Sequence, residues 1–141
     1  MSLQATLLPL FVEVFLTFGL LIRLAILRDR SLRGGVVKFG DIALREPNWP
    51  PQALQAAYSF SNQFEVPVLF YVLTLFVIIT RHADLLFLVL AWIFVVTRLL
   101  QAYEHTTTNN VRRRGLVYGI GAIVLSVMWI VFAVHILFGL P

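Results

Sequence analysis

Four long apolar runs, separated by short polar stretches, decide most of what this chain can fold into. Each approaches or exceeds the roughly 20 residues that an α-helix needs to cross a bilayer core of about 30 Å. Lipid offers no hydrogen bonds to a bare backbone, so such runs fold as helices that satisfy their own peptide groups. Composition agrees. Of 141 residues 60% are hydrophobic and 13% charged, where a soluble domain carries about a quarter charged residues. The mean hydropathy is +0.88. The expected fold is all-α, an integral membrane four-helix bundle, with residues 1–141 forming a single domain. The absence of cysteine excludes disulfides, thiolate metal sites and a cysteine nucleophile.

The first span is expected over about residues 5–27, with Pro9 in its opening turns, Glu13 inside and Arg23 snorkelling near its end. No Lys or Arg precedes Arg23 and there is no small-residue cleavage pattern, so this run reads as a retained helix rather than a signal peptide. The polar segment 28–51 is broken by Gly34-Gly35, Gly40, Pro47, Pro50 and Pro51, and Trp49 suits an interfacial anchor. The second span is expected over about residues 51–80 as one helix, its first turns outside the hydrocarbon and Pro67 kinking it inside. A tight turn at 81–84 leads to a third span over about 85–103. The segment 104–110 then connects to a fourth over about 112–138.

Basic residues set the expected orientation. Arg28, Arg30, Arg33, Lys38 and Arg45 lie in the first connection, and Arg112, Arg113 and Arg114 at the third. The second has Arg81 alone. Positive-inside bias puts the two basic connections in the cytoplasm and both termini outside it, in the inner membrane if the cell is prokaryotic. The net charge of +4 is then that of cytoplasmic loops. Nucleic-acid binding is not expected, because no soluble face interleaves basic and aromatic residues.

The stretch Tyr58 to Tyr71 draws the functional reading. Asn62 and Glu65 share a helix face at i and i+3. A carboxylate there has to face a partner, a ligand or water. Glu65 and Arg98 lie at nearly equal distances from the 81–84 turn, so they sit at matched depth and are expected to pair. Gln101, His105, Arg114 and Tyr118 fall toward the same end. The set describes a cytoplasm-facing pocket for a small anionic, peptide-like ligand, in which a cation or phenol stabilises a thiolate. Plainer readings stand beside it. Glu65–Arg98 is equally a structural tie between helices, Arg112 and Arg113 are topology signals, and Tyr118 and Tyr71 are interfacial aromatics. His105 and His135 read first as interface residues. Glu13 has two readings, a wall of the pocket or a contact with a neighbouring subunit. No spacing of His, Asp and Glu makes a metal site.

With Asn62-Gln63-Phe64-Glu65-Val66-Pro67 in the second span and RLLQAYEHTTTNNVRRRGLVY from Arg98 to Tyr118, the chain resembles the MAPEG family. These are the membrane-associated proteins of eicosanoid and glutathione metabolism. The resemblance covers nearly the whole chain. It implies a homotrimer in membrane lipid that binds glutathione as co-substrate between subunits at the cytoplasmic side. It implies Asn62, Glu65, Arg98, Arg114 and Tyr118 as glutathione contacts, with Arg98 and Arg114 serving the thiolate. His105 falls where relatives often carry a tyrosine that touches glutathione. Two positions depart from the pattern. Tyr58-Ser59-Phe60-Ser61 stands where relatives commonly have an arginine, and Gln101 where a histidine is common.

Three functions follow. The first is a glutathione transferase or peroxidase acting on lipophilic electrophiles. The second is a non-catalytic scaffold or lipid-binding protein on the same fold. The third is a small transporter, which the lack of a duplicated half disfavours.

Overall fold

Ser2 opens the first helix, α1 (Leu3–Arg33), its Oγ accepting from the Ala5 amide at 3.2 Å. That hydrogen bond satisfies one of the orphan amides at a helix start. The computed structural model describes residues 1–44 and 47–141. At 1.5 Å per residue, α1 is about 46 Å long. It overruns its expected end near residue 27, so Arg28, Arg30 and Arg33 ride on its last turns rather than in a loop. Gly34 closes it, donating its N–H to the Arg30 carbonyl at 2.9 Å. Gly35 follows at φ 70°, a left-handed position that glycine takes without steric cost. The connection holds a 3₁₀ turn at Phe39–Ile42, and the Arg28 guanidinium lies 4.9 Å from the centre of the Trp49 ring. Arg45, one of the basic residues counted toward orientation, lies outside the described residues.

The second span is two helices, not one kinked helix. α2 (Pro51–Asn62) and α3 (Val66–Ile79) are separated at Gln63–Glu65. Pro67 is the cause. It cannot donate to the Gln63 carbonyl, and its ring crowds that carbonyl. Here the crowding is relieved by breaking the helix. Gln63 ends α2 in helical geometry, and Glu65, at ψ −108°, is where the chain leaves it.

α4 (Leu85–Thr106) starts at Asp84, whose Oδ1 accepts from the Phe87 amide at 2.7 Å. It continues past residue 103, so Glu104 and His105 belong to its last turn. α5 (Val111–Leu137) starts at Asn110, whose Oδ1 accepts from the Arg113 amide at 3.2 Å. Among the described residues, four helical segments are therefore long and apolar enough to cross a membrane, α2 and α3 together counting as one. This is an integral, multi-pass membrane protein.

Two contacts fix which ends meet. Arg23 Nη2 donates to the Thr106 carbonyl at 3.2 Å, joining the end of α1 to the end of α4. His82 lies with Nε2 3.3 Å from the Leu140 carbonyl, joining the α3–α4 turn to the C-terminal end. The spans alternate, and the basic connections share one end, called the arginine-rich end below.

α4 is the central strut. In its most apolar stretch 44% of residues are buried, against 17% in α1 and in α5. The core joins Phe70, Leu73 and Val77 of α3 to Ala91, Phe94 and Val95 of α4 and to Leu125 and Met128 of α5. The Phe70 and Phe94 rings lie 4.8 Å apart. α4 and α5 approach closely at Gly121, where an added Cβ would stand 2.6 Å from Thr97 Oγ1. The outer faces, with Phe11, Phe15, Phe18 and Ile22 on α1 and Ile120, Ile123, Val127 and Ile130 on α5, are exposed and apolar. Such faces suit hydrocarbon or a second copy.

Candidate functional site

Near the arginine-rich end α2, α4 and α5 diverge around a cleft of about 420 Å³. Its lining includes Asn62, Glu65, Gln101, His105, Arg114 and Tyr118. Each is placed by a local feature of the sequence. Asn62 is the last residue of α2 and Glu65 sits in the break that Pro67 enforces. The carboxylate of Glu65 is exposed and, among the described residues, makes no ion pair. Gln101 and His105 are one turn apart on the inner face of α4. Asn62 Nδ2 lies 3.5 Å from His105 Nδ1, and an amide nitrogen can only donate. Arg114 is in the first turns of α5, just after its Asn110 cap, and Tyr118 follows one turn later on the same face. Arg114 Nη1 donates to Asn109 Oδ1 at 2.7 Å. Asn109 itself stands at φ 49°, a conformation asparagine tolerates better than most residues.

Arg98 is not in the lining. It is 2% exposed and forms the centre of a buried hub behind the cleft. Its three nitrogens point to three helices. Nη1 donates to Gln101 Oε1 on α4, and Nη2 donates to the Asn62 carbonyl at the end of α2 at 3.3 Å. Nε faces Glu13 Oε1 on α1 at 3.8 Å. The cation thus also caps the carbonyl end of α2, where a positive charge is favoured.

This overturns the expected Glu65–Arg98 pair. The depth argument assumed one continuous helix from Pro51 to Thr80. The break turns Glu65 outward into the cleft, and Glu13, fully buried at 0% exposure, takes its place. Of the two readings left for Glu13, the structure gives a third: it neither lines the cleft nor faces outward, but closes the hub within one chain.

The other expected site residues come together. Asn62, Glu65, His105, Arg114 and Tyr118, drawn from three spans, line one cleft. Tyr58 and Ser61 line it as well; they belong to the Tyr58 to Tyr71 stretch, but neither is among the site residues expected from the sequence. The signal was available, since Tyr58, Ser61, Asn62 and Glu65 share a helical stripe. The family model described as MAPEG family matches residues 6–134. The chain belongs to the MAPEG family. Neither a curated protein nor a solved structure matches it.

In this MAPEG chain the cleft opens near a rich set of donors. The Arg114 guanidinium, the Asn62 and Gln101 amides, His105 and the Tyr118 hydroxyl can all donate to carboxylates and peptide carbonyls. Among the described residues Glu65 is the one carboxylate in the lining, a counter-charge for an ammonium. The volume lies in the range of about 300–1,000 Å³ usual for small-molecule sites. Among the described residues no group of His, Asp and Glu is arranged to hold a metal ion.

Proposed function

We propose that this MAPEG protein binds glutathione in the cleft and presents its thiol to a lipophilic electrophile or a lipid hydroperoxide. The observation that carries the reading is the convergence of Asn62, Glu65, His105, Arg114 and Tyr118 on one cleft at the arginine-rich end. In this reading the end that bears the cleft is cytoplasmic, both termini lie outside, and the chain assembles as a homotrimer.

The roles follow from charge and exposure. Arg114 is the cation open to the cleft. It pairs with a ligand carboxylate or favours the thiolate over the thiol, the form that reacts. Glu65 receives the α-ammonium, and Asn62, His105 and Tyr118 bind the peptide. Arg98, closed off by protein partners, shapes the floor rather than touching sulfur. In the transfer reaction the sulfur lone pair forms a bond to carbon, the leaving group departs with its electron pair, and the thiol proton goes to solvent. With a hydroperoxide, two thiols are oxidised to a disulfide while the peroxide is reduced to alcohol and water.

Calorimetry with glutathione tests this directly. The wild type should bind, and Arg114→Ala should bind at least tenfold more weakly, about 1.4 kcal/mol, with its assembly intact. A wild type showing no heat of binding and no thermal stabilisation at millimolar glutathione would sink the proposal.

A second reading rests on the Tyr58-Ser59-Phe60-Ser61 turn and on Gln101, which stand where the family resemblance leads one to expect an arginine and a histidine. The cleft then holds the head group of an anionic lipid, without thiol chemistry. Protein that co-purifies with such a lipid and is indifferent to thiols would favour it.

A further inference from the structure

Two acids compete for one buried base. Glu13, Glu65 and Arg98 are the acidic and basic residues deep inside the spans, and only Arg98 is cationic. Glu13 is in ion contact with it, and Glu65 is not. Yet Glu65 is close by in the chain fold: Arg98 Nη2 already reaches the Asn62 carbonyl at 3.3 Å, three residues before Glu65. A buried guanidinium without a counter-ion recruits whatever carboxylate it can reach, because leaving it unpaired is the costliest arrangement. Among the described residues neither carboxylate oxygen of Glu13 accepts a hydrogen bond. The whole of its polar role is therefore the charge it sets against Arg98.

We infer that Glu13 is a positioning residue whose task is to occupy Arg98, so that Glu65 stays free in the cleft for the ammonium of a ligand. The inference rests on the glutathione reading above and extends it to a residue outside the cleft. Arg98 transmits the effect. Held by Glu13, it keeps its other nitrogens on Gln101 and on the Asn62 carbonyl. Released, it swings toward Glu65, cancels the negative charge that Glu65 brings to the lining and lets go of the α2 terminus. Glu13 thus governs selectivity for an amine-bearing ligand, not merely the stability of the bundle.

The probe is a pair of ligands, glutathione and its des-amino analogue, glutaryl-cysteinylglycine. Wild type should prefer glutathione at least tenfold in Kd. In Glu13→Gln the two should bind within threefold of each other, while Glu13→Asp, which keeps the charge, retains most of the preference. A purely structural role would weaken both ligands equally. An undiminished preference in E13Q overturns the inference. Should E13Q fail to fold, E13D decides: a side chain one methylene shorter lengthens a contact already at 3.8 Å, so most of the preference is kept but it falls measurably, and an unchanged preference overturns the inference.

A ligand-free arm separates this from failure of the glutathione reading. Glu65→Gln should leave the melting temperature of the wild type almost unchanged, lower that of E13Q by several degrees and lower that of E13D by less, since Glu65 serves Arg98 only as far as residue 13 no longer does. Additive effects in this double-mutant cycle overturn the inference whether or not glutathione binds.

Discussion

Arg98 and Arg114 stand on either side of one cleft wall and live in opposite conditions. Arg98 is buried, and each of its nitrogens is directed at a group of the protein. Arg114 is half-exposed, lines the cleft and gives one nitrogen to Asn109. The same side chain is a fastener in the first place and a ligand-binding group in the second. What distinguishes them is burial and where their nitrogens are directed. A cation enclosed and turned toward its own chain has little left to offer a ligand. One with most of its donors unspent, beside a cavity, is available.

The contrast breaks most visibly at the hub. Arg98→Ala leaves Glu13 as an uncompensated buried charge, a loss of about 3–5 kcal/mol by the usual scale for one partner of a buried pair. In detergent its melting temperature should fall steeply, whereas Arg114→Ala should melt close to wild type. Equal melting of the two variants would erase the distinction.

The next largest effect lies on the α4–α5 seam that carries both regions. Thr97 Oγ1, which donates to the Phe94 carbonyl at 2.6 Å, stands where a side chain at Gly121 would go. Gly121→Ala should therefore cost about 1–3 kcal/mol by overpacking, read as a lower melting temperature.

The smallest effects come from the caps. Asn110→Ala and Asp84→Ala should each cost about 1 kcal/mol. Only the first, at the start of α5 where Arg114 sits, should also weaken glutathione binding, by two- to threefold. Equal effects of both on binding would mean that the cleft is sensitive to the bundle as a whole.

Much of this was legible from residue order. Long apolar runs give helices in lipid because no other open structure satisfies the backbone there. The cleft residues were legible because helical spacing fixes which side chains share a face, and the hairpin at 81–84 fixes depth. Two things were not. Pro67 announces a disturbance, but whether a helix bends or parts depends on what surrounds the freed carbonyl, and the sequence does not show that. The partner of Arg98 was missed for a related reason. Glu13 and Glu65 are both lone acids in their spans, and the choice between them turns on how the helices rotate about their axes. That rotation is set by packing such as Phe70 on Phe94, not by any local pattern.

The divided second span carries a mechanical consequence. α1 is a single rod longer than the hydrocarbon is thick, while its neighbour has a joint at Gln63–Glu65. A bilayer that thins or thickens can only tilt the rod, but it can flex the joint. Asn62 ends the helix before that joint and Glu65 lies within it, so flexing it changes the spacing of two groups that line the same cleft.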